Sequence, residues 1–138
     1  MKKMNNKGFS LIELIIVIAI MAVLVAIIAP NLTKYLGKSK SQTDKTNLDE
    51  IKKQFKNAIS DAATDEITNV AGTYTVDKNN VTTTSTSAGA TAFAGYVKKA
   101  LDSDTNTKSK VDSTKDKIEV VVSGSDSAGY TLTAKFTS

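Results

Sequence analysis

The sequence of 138 residues lacks cysteine, histidine and tryptophan, and all 18 of its basic residues are lysine. The absence of cysteine rules out disulfides and thiolate nucleophiles. Without histidine there is also no Ser–His pair and no usual zinc ligand set. The acidic side chains of the polar region are scattered, and ordinary solvation explains them. We therefore expect a protein that is not an enzyme and has no catalytic residue, bound metal or cofactor.

The positive net charge depends on one short segment. The formal charge is +4 at neutral pH, but three lysines lie within residues 1–8. The rest of the chain has 15 lysines and 14 acidic residues, which leaves a net charge of +1. A nucleic-acid-binding surface needs a clustered excess of basic residues. The charge therefore does not favour nucleic acid as a direct partner.

A long apolar run dominates the N-terminal region. Residues 9–29 contain only two polar side chains, Ser10 and Glu13, and residues 14–29 are apolar without interruption. An amphipathic helix of a soluble protein has a polar face, and this segment has none. A helix of about 20 residues, rising ~1.5 Å per residue, crosses the ~30 Å hydrocarbon core of a bilayer. The run therefore predicts a membrane span.

Glu13 lies near the start of this predicted span. A carboxylate at the middle of a bilayer costs about 2.5–3.5 kcal/mol on insertion scales. Acidic residues inside spans are accordingly rare and indicate function. Glu13 is therefore the first candidate site residue.

The residues around Glu13 resemble a known processing site. A lysine-containing leader of residues 1–7 precedes the string GFSLIE at residues 8–13. This string resembles the cleavage junction of type IV prepilins and related pseudopilins, with Gly8, Phe9 and Glu13 at matching positions. Pro30 and Tyr35, just past the span, also lie where pilins commonly carry these residues.

The resemblance implies a mechanism of processing and assembly. A prepilin peptidase and N-methyltransferase would cleave after Gly8 and methylate the new N-terminal residue, Phe9. In a filament, Glu13 of one subunit would neutralise the α-ammonium of a neighbour's Phe9, since each buried charge is costly alone. The implied partners are further copies of the chain, this peptidase, and a pilus assembly platform with its ATPase complex.

The resemblance also implies a function and a location. The chain would be a single-pass precursor in the cytoplasmic membrane and then the major subunit of an extracellular type IV pilus, serving adhesion, aggregation, motility or biofilm formation. A pseudopilin of a type II secretion or DNA-uptake machine remains an alternative, as does a signal-anchored binding domain that does not polymerise. An ordinary secretory signal is disfavoured because the apolar run exceeds the usual 7–15 residues.

A second helical pattern follows the span. Apolar residues spaced by three and four positions predict an amphipathic helix that continues to about residue 67. They are Leu48, Ile51, Phe55, Ala58, Ile59, Ala62 and Ala63. Pro30 removes one backbone hydrogen bond, which predicts a kink or a locally melted segment. The alternative is that the helix ends at Pro30, with Gly37 marking the end.

The C-terminal half predicts a small sheet. Residues 118–122 and 130–136 have the pattern of strands, and the turn-forming residues 123–129 between them indicate an antiparallel hairpin. Residues 72–76 predict a third strand, and residues 93–101 a short helix.

The expected fold class is α+β and pilin-like, with one long N-terminal helix packed on a small antiparallel sheet. We expect a cleaved leader (1–8), a transmembrane helix (9–29), an amphipathic continuation (30–69) and a globular head (70–138).

Two weaker signals concern metal and modification. Residues 102–113 begin like a calcium loop, but Thr107 and Ser113 replace the required glycine and glutamate, so a solvated turn is preferred. The hydroxyl-rich residues 81–87 predict an exposed loop. Asn31 and Asn80 match the N-linked sequon by spacing, and the hydroxyls of residues 82–87 are candidates for O-linked sugar.

Overall fold

A computed structural model describes residues 9–78, 80–101, 107–110 and 112–138 of the chain. The elements are α1 (Leu11–Thr64), β1 (Gly72–Asp77), β2 (Asn80–Thr83), α2 (Ala88–Ala100), β3 (Lys117–Ser125) and β4 (Gly129–Thr137). The strands form one antiparallel sheet in the order β2-β1-β3-β4. The predicted α+β class is confirmed. The chain divides into two compact units between Ser39 and Lys40.

In the first unit, α1 continues through both residues that were expected to disturb it. Pro30 and Gly37 both lie inside the helix. The predictions that the helix ends or melts at Pro30 are therefore wrong, whereas a kink at Pro30 stays a prediction. Proline removes only one intrahelical N–H. Neighbouring carbonyls gain side-chain donors, because Thr33 Oγ1 donates to the Pro30 carbonyl (3.0 Å) and Asn31 Nδ2 to the Ile27 carbonyl (3.4 Å).

In the second unit, the predicted apolar stripe of α1 enters the core. Its buried members are Ile51, Phe55, Ala58 and Ala62, and its partly buried members are Leu48 and Ile59. Ala63 is exposed and was wrongly included. It follows Ala62 by one residue, which is about 100° around the helix.

The helix ends at Thr64, three residues before the expected end. Glu66 adopts a left-handed backbone conformation with φ of 58°. Its N–H donates to the Ala63 carbonyl (3.2 Å), and the Ile67 N–H donates to the Ala62 carbonyl (2.9 Å). These two bonds form a Schellman motif, which satisfies carbonyls at the helix end and directs the chain out of the helix.

Alternate residues of β1 and β3 complete the core with side chains that are at most 2% exposed. They are Tyr74, Val76, Ile118, Val120 and Val122. Phe55, Tyr74 and Phe93 meet edge to face, with ring centroids 5.3–6.1 Å apart. Such pairs contribute about 0.5–1.5 kcal/mol each beyond their burial. The aromatic cluster therefore joins α1, β1 and α2.

The hairpin of β3 and β4 is confirmed, but its turn is shorter than predicted. Pairing extends to Ser125 and Gly129, so only residues 126–128 form the turn. Gly124 makes this continuation possible. Its φ of 122° disfavours other residues, and a Cβ there would lie 2.1 Å from the Gly129 carbonyl oxygen.

The hydroxyl-rich residues 81–87 were wrongly expected to be a loop throughout. Val81 is buried in β2, which pairs with the confirmed strand β1. Ser87 caps α2, since its Oγ accepts the Ala90 N–H at 3.2 Å. The predicted helix therefore exists but begins at Ala88, five residues earlier. Val81 is a single apolar residue among polar ones, so no alternation indicated β2.

Candidate assembly site

The N-terminal turn of α1 holds the main candidate residue. Ser10 is the N-cap, because its carbonyl accepts the N–H groups of Glu13 (3.1 Å) and Leu14 (3.3 Å). Glu13 Oε2 in turn accepts the Ser10 N–H at 2.9 Å. This is one half of a capping box, in which the carboxylate at the third helical position bonds the N-cap amide. The Ser-x-x-Glu spacing is the local sequence signal from which this contact, not predicted from sequence, could have been found.

The surface around Glu13 is apolar and exposed. The large apolar side chains from Leu11 to Ile28 are 45–76% exposed, and Phe9, which precedes the helix, is 90% exposed. Helix α1 is long and apolar enough in this part to cross a membrane. An apolar surface of this extent requires cover by lipid or by other helices.

The other predicted site residues lie apart from Glu13 or outside the described residues. Gly8 belongs to the undescribed N-terminal residues. Pro30 lies 17 residues beyond Glu13 on the same helix, which is about 25 Å at the standard rise. The structure therefore brings Phe9 and Glu13 to one end of α1 and does not bring Pro30 to that end.

A second cluster joins α1 to a loop of the head and was missed from sequence. Asp44 is only 8% exposed. Its Oδ2 accepts the Ser109 hydroxyl (2.5 Å), and its Oδ1 accepts the Lys110 N–H (2.6 Å). Ser109 Oγ also accepts the Asp112 N–H (3.0 Å). The cluster therefore attaches the segment before β3 to the helix.

A third cluster fixes the β3–β4 turn. Asp126 accepts the Tyr130 hydroxyl at Oδ1 (2.6 Å) and the Asn69 N–H at Oδ2 (3.1 Å). These bonds, of which the one from Tyr130 has the largest effect, hold the pKa of Asp126 below its usual range. The turn is thereby tied to the segment that follows α1.

An open pocket of about 390 Å³ lies in the head between α1 and α2. Its lining consists of Asp61, Thr64, Asp65, Tyr96, Lys99 and Ala100. The Tyr96 hydroxyl donates to Asp65, and this bond is the main cause that raises the pKa of Tyr96. In the part of the chain that the structure describes, no three metal-ligating side chains converge. Residues 102–106 of the weak calcium-like loop lie outside that part.

Comparison with known proteins bears on the same N-terminal region. Residues 3–29 match the family described as the prokaryotic N-terminal methylation motif. The chain is similar to the type IV major pilin protein PilA of Myxococcus xanthus, with 52% identity over 44 residues, which are 32% of this chain and 20% of that protein. The chain therefore carries a prepilin-type N-terminal motif and is similar to type IV pilins in that region.

A second relative extends the similarity of the pilin-like chain. The prepilin peptidase-dependent protein A of Clostridium perfringens is 39% identical over 70 residues, which are 49% of this chain and 50% of that protein. The pilin-like chain thus spans at most half the length of these curated relatives. No solved structure matches it. The resemblance seen at residues 8–13 is confirmed, whereas the roles of Gly8, Phe9, Glu13 and Pro30 stay predictions.

Proposed function

We propose that this pilin-like chain is the major structural subunit of a type IV pilus that serves adhesion, aggregation, motility or biofilm formation. The supporting observation is the first turn of α1. There, an exposed apolar helix carries one carboxylate, Glu13, four residues after the candidate cleavage junction at Phe9. Lipid covers such a helix before assembly, and the same helices of other subunits cover it afterwards.

Processing creates the partner that this carboxylate needs. Cleavage after Gly8 by a prepilin peptidase leaves an α-ammonium on Phe9, which is cationic at neutral pH. N-methylation retains the charge. In the packed helices of a filament, Glu13 neutralises a neighbour's ammonium, and this contact fixes the axial register. The apolar residues 14–29 supply the dispersion contacts.

The hydrogen bond to Ser10 bears on the unassembled subunit. Within a single chain, the Glu13 carboxylate already bonds the N-cap amide. The Phe9 nitrogen is one residue before that amide, so the carboxylate is also near its own chain's N terminus. Assembly therefore exchanges a contact within the chain for one between chains.

The remaining parts of the chain follow from this proposal. Residues 1–8 are the cleaved leader, residues 9–29 the membrane and filament-core helix, residues 30–69 its continuation and residues 70–138 the head. The precursor resides in the cytoplasmic membrane with the leader on the cytoplasmic side. An assembly platform with its ATPase complex moves the processed subunit into the filament outside the cell.

Electron microscopy of filaments sheared from cells tests this function. The expected result is long surface filaments whose mass identifies this chain. Cells that express Gly8→Val are the control, and they should lack filaments and retain the precursor in the membrane. Filaments that appear only as short pseudopili on overproduction would favour the secretion or DNA-uptake alternative. A chain that stays in the membrane with intact processing would contradict the proposal.

A further inference from the structure

The helix segment that follows the predicted span carries two exposed lysines and an exposed tyrosine. Lys34 and Lys38 are four residues apart on α1 and therefore share a face. Tyr35 beside them is 70% exposed. The sequence has no acidic residue between Glu13 and Asp44. Among the described residues, neither lysine forms an ion pair.

The position of these residues relative to the span is defined by helix geometry. A 21-residue span is about 31 Å long, which matches the ~30 Å hydrocarbon core. Lys34 and Lys38 then lie about 7 and 13 Å beyond its end, where the headgroup layer is about 5–7 Å thick. Side chains on a helix point toward its N terminus, which here is toward the bilayer. Lysine stems can therefore carry the ammonium groups back to the phosphates.

We propose that Lys34 and Lys38 bind the headgroup phosphates of anionic phospholipids in the leaflet opposite the leader, with Tyr35 at the interface between headgroups and hydrocarbon. The proposal rests on the membrane-inserted subunit of the proposed function. Charge complementarity favours a lipid surface, since both ammonium groups can reach back toward the phosphates and no carboxylate of the same helix segment competes. Tyrosine is enriched at this depth because its ring is apolar and its hydroxyl polar.

The absence of tryptophan from the sequence makes a site-specific fluorescence test possible. Tyr35→Trp in the full chain places a single tryptophan at the proposed site, and its emission can be excited selectively over that of the remaining tyrosines. The chain is reconstituted in phosphatidylcholine vesicles that contain equal small fractions of brominated phosphatidylglycerol or brominated phosphatidylcholine. Each lysine should enrich anionic lipid around it about fivefold, which corresponds to about 1 kcal/mol. We therefore expect brominated phosphatidylglycerol to quench the tryptophan at least twofold more strongly than brominated phosphatidylcholine does. The preference should decline in about 0.5 M salt, where the screening length is about 4 Å.

Matched lysine variants test whether the preference for anionic lipid depends on Lys34 and Lys38. Lys34→Gln with Lys38→Gln should abolish it, whereas arginine at both positions should retain it. Lys53→Gln with Lys56→Gln removes the same charge from exposed positions of the head half of α1 and should leave the preference unchanged. Equal quenching by both brominated lipids, or a preference that survives the Lys34 and Lys38 glutamine variant, overturns the inference. Absence of quenching by either lipid overturns the membrane-inserted subunit itself.

Discussion

Glu13 Oε2 accepts the backbone N–H of Ser10 at 2.9 Å, so the one carboxylate in the apolar part of α1 caps the helix on which it lies. A negative charge in the first helical turn is also favoured by the helix dipole. Glu13 therefore has a local structural role in addition to the proposed pairing with a neighbour's N terminus. A substitution that removes the charge but retains a capping oxygen separates the two roles.

Processing should produce a mature chain that begins at Phe9 with an N-methyl group. Phe9 and Ser10 precede the first turn of α1, and Phe9 is 90% exposed. Mass spectrometry of the N-terminal peptide measures both the cleavage position and the added methyl group. A mature chain that begins near Pro30, or that retains Met1, would contradict the processing mechanism.

The head should fold without the span. Among the described residues, all large apolar side chains that are exposed lie within residues 9–36. A chain without residues 1–32 would keep two of them, Tyr35 and Leu36. A chain that begins at Thr33 should therefore be a soluble monomer with mixed helix and strand. Circular dichroism and sedimentation provide the measurements. Disorder or strong self-association would show that the core of the second unit needs the span.

Asp44→Asn should destabilise this head by about 1–3 kcal/mol, because its amide would face either the buried Ser109 hydroxyl or the partly buried Lys110 N–H. Urea unfolding measures the loss. Asp49→Asn is the matched control on the same helix, since its side chain is 73% exposed and pairs with the partly exposed Lys52. Its effect should stay below about 0.5 kcal/mol. Equal losses of unfolding free energy in both variants would contradict the stabilising role of the Asp44 hydrogen bonds.

The stabilisation by Asp126 should depend on pH. Its lowered pKa means that the contribution is fully present above the unfolded-state pKa of about 4 and is lost as pH falls through the folded-state value. Asp126→Asn should therefore lower the unfolding midpoint at pH 7, and its difference from the unchanged chain should shrink on acidification. Unfolding between about pH 7 and 2 tests this, with the exposed Asp77→Asn as control. A difference that is constant with pH would contradict the assignment.

Local sequence patterns were sufficient for the parts of the molecule that depend on neighbouring residues. The apolar run is recognised by its length, and the α1 stripe around Phe55 and the alternation of β4 by a period within one element. The bond between Asp44 and Ser109 joins residues 65 positions apart, so no local pattern could predict it. The continuation of the helix to the apolar stripe was predicted, but local sequence did not decide whether Pro30 ends it, because proline removes only one intrahelical N–H and the rest of the helix can remain.

Coexpression distinguishes pairing between chains from pairing within one chain. A Glu13→Ala subunit still offers its Phe9 ammonium to the glutamate of a neighbouring unchanged subunit. Pairing between chains therefore predicts that the variant enters mixed filaments in part. Pairing only within a chain predicts its exclusion, since its own ammonium would be buried without a partner. Mass spectrometry of purified mixed filaments measures the incorporated fraction.

The central claim, that the charge of Glu13 is required for polymerisation, is tested most directly by filaments of Glu13→Gln expressed alone. Glutamine retains an oxygen for the Ser10 N–H and so preserves the cap, but it cannot neutralise an ammonium. Membrane insertion and cleavage should be normal, which immunoblotting of the processed chain verifies. The account predicts that electron microscopy finds no filaments, as for Glu13→Ala. Abundant filaments of normal appearance from Glu13→Gln alone would contradict it.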